Sequence, residues 1–66
     1  MQSKDLNRIK VVLVELKKTA KWLAEEIGKD PSTVSKWCTN TSQPSLDTLR
    51  KIADVLSVKL SDLVNN

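Results

Sequence analysis

Apolar residues recur at helical spacing in five stretches of this chain, separated by short polar breaks. The first stripe is Ile9, Val12, Leu13 and Leu16, which predicts a helix over roughly Asp5 to Lys18. Thr19 then reads as the N-cap of a second, short helix with Leu23, Ala24 and Ile27 on its apolar face. Gly28, free to adopt positive φ, ends it. Asp30-Pro31-Ser32 reads as a third start: Asp caps, and Pro occupies the first turn, where its missing N–H costs nothing. Val34 and Trp37 face inward on that helix. Asn40 to Pro44 is polar loop, and Ser45 caps a fourth helix carrying Leu46, Leu49, Ile52, Ala53 and Leu56. Beyond Ser57-Val58, Leu60 to Val64 makes a last turn or two. The pattern predicts an all-α fold, a compact bundle of five short helices, as one domain over 1–66.

Composition narrows the function. Sixty-six residues lie near the lower limit for folding without staples, and 39% hydrophobic content supplies one core. With two Trp and no Phe or Tyr, aliphatic side chains must build most of it. A single Cys and no His leave neither an intramolecular disulfide nor a zinc site, so no metal or cofactor is expected. The lone thiol suits a reducing cytoplasm. The longest apolar run, Val11 to Val14, is too short to span a membrane or serve as a signal segment. No nucleophile–base set is visible, so the chain does not read as an enzyme. The net charge of +3 is uneven: residues 1–36 hold eight Lys or Arg against five acidic residues, the remainder three against three. That excess suits nucleic acid, although a solvated surface would look the same.

The second and third helices carry the informative spacing. Over Ala20 to Trp37 the chain places Ala24, Gly28, Val34 and Trp37 where two helices that cross closely need them. Ala24 must be small because the third helix passes above it, and Gly28 allows the reversal. Val34 and Trp37 anchor the third helix on Leu23 and Ile27, leaving its other face for a major groove. The segments Leu23-Ala24-Glu25, Thr33 to Trp37, Pro44-Ser45-Leu46 and Leu49-x2-Ile52-Ala53-x2-Leu56 extend the pattern across nearly the whole chain. In order and spacing they resemble the phage-repressor and Cro-like (Xre) regulators. The resemblance implies a lambda-repressor-like domain with a helix-turn-helix at about 20–39. It departs in two places. Ala20 stands where the family usually has Gln that helps clamp a phosphate, so only the backbone N–H could act there. Cys38-Thr39-Asn40 stands where the family often has Glu-x-Gly, and Asn takes a left-handed turn less readily than Gly.

What the resemblance implies is sequence-specific binding of double-stranded operator DNA by a transcriptional regulator, a repressor. Pro31, Ser32, Ser35, Lys36 and Thr39 would face the bases. Lys36 is the first candidate for guanine O6 or N7, and Ser32 and Ser35 suit either base edges or phosphate. Thr19, Lys21, Thr33, Asn40, Thr41 and Ser42 are candidates for the DNA backbone. Any polar helix face would share this composition. Arg8 and Lys10 fit a solvated first helix equally well. Trp22 either caps the core or stands partly exposed, Trp37 reads as core, and Cys38 as a semi-buried small apolar residue.

One reading helix covers few base pairs, so such regulators pair to span two half-sites. Val55, Val58, Leu60, Leu63 and Val64 exceed what a short terminus needs, and the resemblance places a homodimer surface there. Val11 and Val14, pointing away from the first stripe, offer a second surface, and a monomer that uses the terminal residues as core cover is the plain alternative. An antitoxin paired with a toxin, or a protein-binding co-regulator module, would have the same fold. No small-molecule ligand or membrane association is evident.

Overall fold

A computed structural model describes residues 6–64 of the chain. Four α-helices follow in order: α1 (Ile9–Glu15), α2 (Ala20–Ile27), α3 (Pro31–Cys38) and α4 (Leu46–Leu56). The expected fifth helix is a single 3-10 turn, Leu60–Asp62. It is too short to propagate, and the Asp62 carboxylate holds its start by accepting the Lys59 N–H at 3.1 Å.

Three helix starts follow the predicted chemistry. Thr19 Oγ1 accepts the Trp22 N–H, Asp30 accepts that of Ser32, and Ser45 Oγ accepts that of Thr48. The ends share one device that the sequence displays only in part. Lys18, Lys29, Thr41 and Val58 each donate their N–H to the carbonyl five residues back, at 2.8–3.0 Å. The residue before each donor is left-handed: Lys17 (φ 58°), Gly28 (φ 70°), Asn40 (φ 59°) and Ser57 (φ 56°). These closures satisfy carbonyls that would otherwise be orphaned at the helix ends.

The closure at Lys17 corrects the first helix. It stops at Glu15 rather than Lys18, and Leu16, no longer on a helical stripe, is exposed. At the other end Leu6 to Arg8 is not helical, and Asp5, the expected start, lies outside the described residues. Leu46 is also exposed, because it opens α4 ahead of the turn that reaches the core.

Ile9, Val12 and Leu13 meet Leu23, Ala24, Ile27, Val34, Trp37, Ile52, Ala53 and Leu56 in one core. Leu63 joins them and is fully buried. Arg8 donates its N–H to the Leu63 carbonyl at 2.8 Å, and Asn7 forms an isolated antiparallel bridge with Val64. The segment entering α1 and the one leaving the 3-10 turn are therefore tied together beside the core. Among the described residues no helix is long and apolar enough to cross a membrane.

Candidate nucleic-acid interface

The polar face of α3 is held by what lies beneath it. Leu23, Ala24 and Val34 are wholly buried, and Ile27 and Trp37 nearly so. Ala24 presents only a methyl group, which permits the close approach of α2 and α3. The connection, Gly28 to Asp30, is closed by the Lys29 N–H on the Ala24 carbonyl at 2.9 Å. With Val34 and Trp37 pinned, helical periodicity turns Pro31, Ser32, Ser35 and Lys36 to solvent, and all four are exposed. Thr33 is half-buried at the edge of this face.

Thr39, the C-cap of α3, is exposed, but its hydroxyl donates to the Lys36 carbonyl at 3.2 Å and lies 2.8 Å from that of Thr41. The same carbonyl accepts the N–H groups of Thr41 and Ser42. Thr41 and Ser42 are exposed, yet only their hydroxyls remain to meet a phosphate. Asn40 departs further from the expectation of a backbone contact. It is half-buried, and its side-chain carbonyl accepts from Leu6 N–H, Asn7 N–H and Gln43 Nε2. An amide engaged this way cannot bind phosphate without giving up partners.

Thr19 and Lys21 stand exposed at the start of α2. Thr19 takes the N–H groups of Trp22 and Leu23 through its hydroxyl and carbonyl, which leaves those of Ala20 and Lys21 without an intrahelical acceptor. Such donors, at the positive end of the helix dipole, are suited to an anion. Lys18 lies over the Trp22 ring, 4.7 Å from its centroid, so the half-buried indole holds one cation of the basic group Lys17, Lys18 and Lys21.

Cys38 is half-buried, and desolvation raises its thiol pKa despite an opposing pull from Lys10. A neutral, partly covered thiol is a packing group rather than a reactive one. The candidate association residues divide. Val55, Val58, Leu60 and Val64 are half-buried, and the first two pack on the core. Leu63 is corrected: its side chain is spent inside the protomer, with no surface left for a partner.

Among the described residues, four short helices, the second packed against the third and the third polar on its outer face, make an all-α fold. The family model described as helix-turn-helix matches residues 9–63, and the chain belongs to that Xre-like family. A solved structure, that of a candidate DNA-binding protein from Bacteroides fragilis, is 57% identical with a TM-score of 0.89. The match covers 91% of this chain and 97% of that one. No curated protein is significantly similar.

Sequence reasoning missed two residues that shape this site, Asn7 and Gln43. Each is an ordinary amide in a polar segment, and the partners of Asn7 on or after α3 lie thirty or more positions away. Local pattern carries no signal for such pairs.

Proposed function

We propose that this protein binds specific double-stranded DNA sequences as a transcriptional regulator of the repressor kind, with no chemistry of its own. In this reading α2 and α3 form the helix-turn-helix, and α3 lies in the major groove. The observation that carries it is the exposed row Pro31, Ser32, Ser35 and Lys36 on a helix whose opposite edge is locked by Val34 and Trp37. A reading element needs polar reach outward and rigid support behind, and this helix has both. Family membership and the Bacteroides fragilis protein support the same reading. Lys36 contacts guanine, Ser32, Ser35 and Thr39 supply neighbouring contacts, and Pro31 packs against the bases. Thr19, Lys21, Thr33, Thr41 and Ser42 hold phosphates, joined by the N–H groups at the start of α2.

The test is selection of bound duplexes from a random library, followed by affinities on the selected site and on random DNA. Lys36→Ala should cost about 1–3 kcal/mol on the selected site and less on random DNA, narrowing the ratio. Lys21→Ala should weaken both alike and reduce the salt slope by about one unit. Equal loss on both duplexes for Lys36→Ala would make Lys36 a phosphate contact. Selection that enriches no sequence overturns the regulatory reading.

A further inference from the structure

The end of α3 is fastened to the segment before α1 by a closed set of amides. Asn40 adopts φ 59°, a conformation Gly takes more cheaply, and Gly is what the family pattern often has there. What Asn adds is a side chain engaged through both its oxygen and its nitrogen. Its Oδ1 accepts the N–H of Leu6 at 2.8 Å, the N–H of Asn7 at 3.0 Å and Gln43 Nε2 at 3.0 Å. Its Nδ2 donates to the Asn7 carbonyl at 3.3 Å. Asn7, only 4% exposed, answers from the other side. Its Nδ2 donates to the Trp37 carbonyl at 3.0 Å and to Gln43 Oε1 at 2.7 Å, while its Oδ1 accepts the Ile9 N–H at 3.0 Å. Among the described residues no buried side-chain polar atom is left without a partner.

We propose that Asn7, Asn40 and Gln43 are positioning residues for sequence reading, without themselves touching a base. This rests on the DNA-reading role argued above. Trp37 and Lys36 form the last turn of an eight-residue helix, and a turn so placed frays unless something outside it holds it. The clasp grips the Trp37 carbonyl and the left-handed residue that follows, so Lys36 and the Thr41–Ser42 turn are set before DNA arrives. Without it that order must be restored on binding, at an entropic cost borne only by the tightly fitted specific complex.

Two variants of the full chain separate the clasp from the fold. Asn40→Gly keeps the left-handed backbone and removes four side-chain hydrogen bonds; Gln43→Ala removes two from an exposed residue. Both should retain the helical circular dichroism signal and a cooperative melt. Leu6 and Asn7 amide protons should exchange faster in Asn40→Gly. Affinity for the selected duplex should fall roughly tenfold, and for random DNA less than about twofold, with the salt slope unchanged. Equal losses on both duplexes would overturn the proposal by making these residues phosphate contacts. Unchanged affinity on both, where the parent selects a sequence, overturns the positioning role alone. A parent that selects no duplex overturns the DNA-reading role and this inference with it.

Discussion

Gly28 ends α2 at φ 70°, and a Cβ built on it would meet no heavy atom within 4 Å. The space is open, so the penalty for a side chain there is conformational and nothing else. Gly28→Ala should therefore lose about 1–2 kcal/mol of stability, and Gly28→Asn less, because a short amide tolerates the left-handed region. Urea unfolding with an unchanged m-value measures both. Asn as costly as Ala would show that something other than φ limits this turn. Among the described residues the three other left-handed positions carry Lys17, Asn40 and Ser57, none of them Gly. Only Asn40 announces such a turn in sequence. Lys17 and Ser57 are held there by the six-residue closures that follow them, from Lys18 to Leu13 and from Val58 to Ala53.

At the scale of the element, that difference decides what could be read in advance. The starts of α2, α3 and α4 were legible because a cap is a local event between residues two or three apart. The end of α1 was not, since nothing about Lys17 marks a stop, and Leu16 fell off the apolar stripe as a consequence. The inward faces of α2 and α3 were legible from period alone. The candidate site divides the same way: Ser32, Ser35 and Lys36 are exposed, as the Val34–Trp37 stripe requires, whereas the clasp through Asn7 spans 33 residues to Asn40 and has no periodic signature. Ala24 tests the element scale directly. It is fully buried on α2, which packs against α3, and Leu in its place should push the two helices apart. Ala24→Leu should cost about 1–3 kcal/mol, a large share of what so small a domain has, and would show as a lowered thermal midpoint. A melt matching the parent would mean that the two helices have room to spare at their crossing.

For the whole molecule the open matter is association. A single α3 reads few base pairs, and two copies would read two half-sites about one helical turn apart, roughly 34 Å. The homodimer is a proposal, and burial redraws its surface. Leu63 lies in the protomer core, so Leu63→Glu would unfold the chain rather than separate two copies. Leu60 is the better probe: it is half-buried, opens the 3-10 turn and is not part of the buried core. Leu60→Glu should keep the helical signal and sediment as a monomer where the parent sediments as a dimer, with weaker binding to a two-half-site duplex and unaltered binding to one half-site. Val14 gives the contrasting arm. It is 65% exposed on α1 beside Val11 at 44%, a more open apolar pair than any at the C-terminal end. Dissociation by Val14→Glu and not by Leu60→Glu would move the interface to α1. A parent that stays monomeric at high micromolar concentration, with and without duplex, would rule out both surfaces as self-association sites. Val11 and Val14 would then need a different partner, and Val55, Val58, Leu60 and Val64 would be no more than the cover of the core beneath them.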